Sequence, residues 1–212
     1  MLSQAKPVPK AALDLNRAIH DLLTDVSIQM REFSHVQPAR ILVVAGEARR
    51  ASRGSVKPLA FVGGKSRDAT GLRKPVVKVH GRRMLYCITL RPLFFRASTP
   101  EARIETLLHE LFHVSATFDG TLDPTRRHAC IGAAFRNSFR PLVRRYLRRC
   151  PPDVLAPFAH RGPVRVLQWL ERPPAFHVPR LSKNRRRYTE EQLFMTTLEL
   201  LTKRKKSRPA VH

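Results

Sequence analysis

The 212-residue sequence predicts an α+β fold, and three features carry that expectation. A stretch near the N-terminus repeats its apolar residues at helical spacing. Short apolar or alternating runs between residues 39 and 90 read as strands. Two further helical runs follow, over 100–116 and 127–149. Hydrophobic residues make up 42% of the chain, enough for a folded protein, and the length suits one domain with a modest core. Seventeen prolines imply many loops and short elements.

The first helix is read from ALDLNRAIHDLLTDVSIQMREF, where Leu15, Ile19, Leu22, Leu23, Val26 and Met30 share one stripe. Pro38 interrupts the pattern, and ARILVVA reads as a short buried strand. Residues 46–75 are rich in Gly, Arg, Lys and Ser. Within them, AFVGGKS ends like a phosphate-binding loop, but that pattern needs a glycine five places before Gly64, where this chain has Leu59. A turn between two strands is the better reading. PVVKVHGRRMLYCITL then predicts a hairpin with Gly81 in its turn.

PLFFRAS reads as a connection. Ser98 or Thr99 can cap the helix that follows, Pro100 suits its first turn, and Glu101 suits its positive end. The run 127–149 contains Pro141, a candidate bend. After the proline-rich residues 150–163, VRVLQWL returns as a last strand. PPAFHVPRLSKNRRR is a basic linker, and TEEQLFMTTLELLT predicts a short amphipathic helix capped by Thr189, with Leu193, Thr197, Leu198 and Leu201 on one side. KRKKSRPAVH forms a charged end.

The formal charge is +24, from 40 Lys and Arg against 16 Asp and Glu. Such an excess attracts polyanions, so non-specific nucleic acid is a candidate partner through clusters such as RRASRGSVK, SKNRRR and KRKKSR. An arginine-rich coding bias raises the charge equally well. Aromatic residues are sparse near these clusters, which argues against a stacking platform for single strands. Cys87, Cys130 and Cys150 form no CxxC pair, so a zinc ribbon or iron–sulfur cluster is not implied, and a reducing, cytoplasmic setting fits. Neither a signal peptide nor a stretch long enough for a bilayer is expected, hence no membrane partner.

The chemistry concentrates in HELFH, residues 109–113. Helical neighbours four apart point the same way, so the imidazoles of His109 and His113 can converge on one zinc ion. Ile104, Leu107, Leu108 and Leu111 fall on the opposite side, which lets the helix bury its leucines while the histidines face a cleft. Glu110 projects about 100° away from His109, beside the ion rather than on it, where a carboxylate acts as general base.

A catalytic zinc site takes three protein ligands. Residues 114–170 contain no glutamate, and His128, at the head of the second long helical run, is the preferred third ligand. Asp119 is the rival. Metalloproteases with the longer zinc motif, which this spacing resembles, place a ligand there after a glycine that permits the turn; here that position is Ala116, so Phe118-Asp119-Gly120 reads as the turn itself, with Asp119 orienting a ligand imidazole from outside the coordination shell. Tyr86, His80 and Tyr146 are candidate oxyanion donors, and the strand MLYCITL is a candidate edge for an extended peptide.

LLHELFHVSATFDG followed by RRHACIGAAF resembles the zinc metallopeptidases of phage and bacterial genomes, and more distantly the SprT-like zinc proteases. The resemblance covers about residues 35–150. It implies a minimal zincin-like fold, a small mixed sheet packed on an N-terminal helix, the HExxH helix and a following long helix. It also implies His109, His113 and His128 as ligands of one Zn2+, Glu110 as base, and a protein or peptide substrate. The zinc ribbon of many SprT-like proteins is missing, and His128 is followed by Ala129 where that family often has glycine. The corresponding domain division is an N-terminal helical segment (1–34), a zincin-like metallopeptidase core (35–170), and a basic linker with a short C-terminal helix and tail (171–212). The rival function is a basic nucleic-acid-binding protein whose metal site is structural or degenerate.

Overall fold

A computed structural model describes residues 12–47, 52–126, 128–177 and 187–201, with the backbone alone described for 128–136. The chain is α+β, with mixed sheets. It opens with a two-residue strand β1 (Leu13–Asp14) and helix α1 (Leu15–Gln29). β2 (Ile41–Ala45), β3 (Gly54–Pro58), β4 (Val76–Val79), β5 (Arg82–Arg83) and β6 (Tyr86–Leu90) follow. Helices α2 (Pro92–Ala97), α3 (Pro100–Phe112), α4 (His128–Leu147) and α5 (Pro152–Ala159) come next, then β7 (Gly162–Trp169), β8 (Arg187–Tyr188) and β9 (Leu193–Leu200).

Six strands form the main sheet. β6 lies one strand in from the β3 edge, antiparallel to β3 on that side and parallel to β2 on the other. β7 pairs with β9 along one edge; along the other it meets β1 at Val164 and Arg165 and β2 only at Gln168. Between those two contacts the side chain of Asn16 replaces the missing ladder bonds. Its Nδ2 donates to the Val43 carbonyl at 2.7 Å, and its Oδ1 accepts from the Leu167 amide at 2.7 Å. An amide carries both a donor and an acceptor, so one side chain can bridge two diverging strands.

The sheet's two faces are covered differently. One face, through Ile41, Val43, Ile88, Leu90, Val164 and Val166, joins the apolar faces of α1, α3, α4 and α5 in one buried cluster. The other face presents Leu42, Val44 and Cys87 to a second cluster containing Val77 and Tyr188 of the small sheet β5-β4-β8. Parallel strands covered on both sides read as continuous apolar runs, which is why ILVVA and YCITL show no alternation. α1 follows its sequence pattern: Leu15, Ile19, Leu22, Leu23, Val26 and Met30 are all buried, and Asp14 caps the helix by accepting from the Arg17 amide.

Other expectations need correction. The expected hairpin shrinks to two residue pairs of β4 and β5, joined by His80 and Gly81 at φ +49° and +73°, after which β6 departs for the main sheet. PLFFRAS and the proline-rich stretch contain helices, α2 and α5, each with proline in its first turn where the missing N–H costs nothing.

TEEQLFMTTLELLT is a strand, not a helix. Thr189 does cap, but it caps only the single turn Glu190–Gln192, and the chain then extends along all eight residues of β7. Phe194 and the Thr196-Thr197 pair favour an extended backbone, and Leu198 and Leu200 turn inward while Thr197 and Glu199 face solvent, a period of two. The C-terminal segment therefore joins the sheet, and α1 shares one core with α3 and Leu200. The predicted linker residues 178–186, Thr202 and the charged end 203–212 lie outside the described residues. Among the described residues no helix is long and apolar enough to cross a membrane.

Candidate metal centre

The HELFH segment forms the last turn and C-terminal cap of α3. Thr99 starts the helix by accepting from the Ala102 amide, and Pro100 and Glu101 occupy its first turn as expected. Ile104, Leu107, Leu108 and Leu111 are fully buried against the sheet. The opposite side, expected to face a cleft, is instead partly covered: His113 is 8% exposed and Glu110 5%, while His109 is half-buried. Phe139 of α4 provides part of that cover, with its ring edge-on to His109 at 5.4 Å between centroids.

The two histidines converge. Their Nε2 atoms lie 3.2 Å apart, with the rings nearly perpendicular. His113 Nδ1 sits 2.6 Å from the Arg126 carbonyl, an acceptor that fixes the proton on Nδ1 and leaves the Nε2 lone pair facing His109. Two nitrogens each about 2.0–2.1 Å from a tetrahedral zinc ion stand about 3.3 Å apart, so the pair matches the spacing that such an ion requires.

The residues between His113 and Arg126 explain how that carbonyl returns. Ser115 N donates to Thr121 O and Asp123 N to His113 O, closing a tight loop. Phe118-Asp119-Gly120 is the turn, with Phe118 at φ +49° and Gly120 at φ +90°. Gly120 is required twice over, because a Cβ there would stand 2.6 Å from Ala60 Cβ. Tyr86 anchors the loop by accepting from the Gly120 amide and donating to the Thr121 carbonyl. An Asp123–Arg126 ion pair closes its end, and the Arg126 guanidinium lies over the Phe112 ring.

Among the described residues Asp119 orients no imidazole. Its carboxylate accepts from the Gly63 amide and from the amide and hydroxyl of Thr121, so it serves the turn. The orienting acceptor is the Arg126 carbonyl, which sequence reasoning could not find because any residue type supplies one. His128 heads α4, but its side chain lies outside the described residues. Among the described residues, no three His, Cys, Asp or Glu side chains group as a metal site.

Glu110 is held beside the pair. Burial pushes its carboxyl up to about 7, an effect partly offset by a hydrogen bond from the Val56 amide. Val56 belongs to β3, which pairs with β6 alone among the described residues and is therefore an edge strand. The expectation that MLYCITL offers an edge is thus corrected: β6 is flanked on both sides, and β3 holds the open position. Gly54 lets β3 approach α3, since a Cβ there would lie 3.3 Å from Thr106 Cγ2 and 3.4 Å from Glu110 Oε1. GSVKP had no strand signature, with glycine at one end and proline at the other.

The candidate oxyanion donors are committed elsewhere. Tyr86 is buried in the loop anchor, and burial raises its phenol to about 12. Tyr146 donates to Asp25, and His80 lies in the β4–β5 turn near Glu190. Comparison with protein-family models, with curated proteins and with solved structures returns no match.

Proposed function

We propose that the protein is a zinc-dependent metallopeptidase of zincin-like build, related to the phage-type and SprT-like enzymes, with His109, His113 and His128 as ligands of one ion and Glu110 as general base. The observation that carries this reading is the convergence of the two Nε2 atoms at 3.2 Å, with His113 held in one tautomer by the Arg126 carbonyl. A hydrogen bond between the two imidazoles would hold them at the same distance, and zinc uptake separates the two arrangements.

The chemistry that a bound zinc ion supplies is Lewis acidity, which polarises a carbonyl and activates water. The chain's own residues do the rest. Glu110, already raised to about 7 by its buried setting, takes the proton from the attacking water and passes it to the leaving amine. The β3 edge, beside Glu110, offers backbone groups to an extended peptide, which a strand-like substrate would engage by main-chain hydrogen bonds.

The test is direct. Purified full-length protein is expected to carry about one zinc per chain, and Glu110→Gln to keep the metal while losing casein hydrolysis. His128→Ala is expected to weaken zinc binding by at least about tenfold. A clean wild-type preparation that takes up no transition metal from buffered zinc would refute the reading.

A further inference from the structure

Between residues 124 and 152 the sequence holds eight arginines, at 126, 127, 136, 140, 144, 145, 148 and 149, and no aspartate or glutamate. α4 turns Phe139, Val143 and Tyr146 into the core, and Arg145 is taken by Glu32. Arg140, Arg144 and Arg148 remain exposed at four-residue spacing, and none of them is in an ion pair among the described residues. The helical bonding continues through the last, since the Arg148 amide donates to the Arg144 carbonyl.

We propose that this arginine ridge on α4 is a binding surface for the phosphodiester backbone of double-stranded nucleic acid. At 1.5 Å per residue the three guanidinium stems are spaced by about 6 Å and span about 12 Å. That covers three to four phosphate-to-phosphate steps at ~3.4 Å of axial rise along one strand. Guanidinium groups are weakly hydrated and fork-shaped, the form that suits phosphate oxygens. The described neighbours on the exposed side, Asn137, Ser138 and Pro141, are neither aromatic nor large and apolar. A single-strand platform needs stacking rings and a membrane-seated helix needs apolar anchors, so this surface favours a duplex backbone over both. None of the three arginines belongs to the candidate metal centre, so the surface stands independently of the metal reading.

The test measures binding of the full chain to a short random-sequence DNA duplex by fluorescence anisotropy, with chelator present, between about 50 and 200 mM salt. The expected result for Arg140→Gln/Arg144→Gln/Arg148→Gln is a log–log salt slope shallower by about two to three, with affinity at least ~10-fold lower. A control removing the same charge elsewhere, Arg17→Gln/Lys78→Gln/Arg82→Gln, is expected to leave the slope unchanged. Each single α4 variant is expected to lower the slope by about one, which keeps the test valid if the triple variant misfolds. Equal binding to duplex RNA supports backbone recognition. Equal losses in the two triple variants, no binding by wild type, or preference for single strands or anionic vesicles would overturn the proposal.

Discussion

Arg103 is the most instructive single position for stability. It is 2% exposed, and no carboxylate pairs with it among the described residues. Its guanidinium instead donates to four carbonyls: Nε to Phe95 at 2.9 Å, Nη1 to Phe158, and Nη2 to Arg96 at 3.1 Å and Leu201 at 3.0 Å. One side chain of α3 thereby ties together the end of α2, the end of α5 and the residue after β9. Arg103→Met keeps most of the volume and removes every donor. Two of the carbonyls keep a backbone donor, Phe95 from Ser98 N and Arg96 from Leu201 N. Hydrogen bonds to a charged group contribute ~1.5–3 kcal/mol each, and an orphaned buried acceptor costs about 1–3 kcal/mol. Against this, methionine avoids the several kcal/mol spent desolvating a cation. The net expectation is a loss of about 3–4 kcal/mol, with Arg103→Lys intermediate because an ammonium cannot span four acceptors. Urea unfolding reads this as a midpoint lower by roughly 1.5–2 M at an unchanged slope of about 2 kcal/mol per M. A methionine variant within ~1 kcal/mol of wild type would show that apolar packing, not the guanidinium fork, holds these three ends together.

Three further outcomes follow from particular contacts. Gly120→Ala is expected to cost at least about 2 kcal/mol and to lower zinc retention, whereas Gly63→Ala, also at positive φ but facing open space, costs ~1 kcal/mol; equal effects on thermal unfolding would contradict the Ala60 contact. Asn16→Leu leaves the Val43 carbonyl and Leu167 amide without their bridge and is expected to destabilise by about 2–3 kcal/mol in urea, with faster amide exchange at Leu167 as the local signature. Burial lowers Lys57 to about 8, below its ordinary value, even though its ammonium donates to the Pro173 and Pro174 carbonyls. A depressed folded-state value gives stability that is present above the unfolded value near 10.5 and lost as pH falls through about 8. The unfolding free energy is therefore expected to rise over that window by ~1–2 kcal/mol after solvent screening, and Lys57→Met to flatten the rise; an unchanged slope in the variant would assign the effect to other groups.

By itself the sequence determined the elements whose own side chains dictate them. The stripe from Leu15 to Met30, the apolar run ILVVA, the Thr99-Pro100-Glu101 helix start and the phase of HELFH against its leucines all depend on neighbours within one or two turns, and local periodicity records them. The turn at 118–120 was legible for the same reason, because glycine marks the backbone conformation it must adopt. Tertiary structure alone decided the rest. LFMTTLEL fits both a helical and an alternating period, and only the open edge of β7 selects the strand. Which strand lies at the sheet edge is a property of pairing between distant segments, so β3 rather than β6 stands beside Glu110. The Arg126 carbonyl that aims His113 carries no residue signature at all, since every residue has the same backbone oxygen and only the folded loop chooses which one arrives.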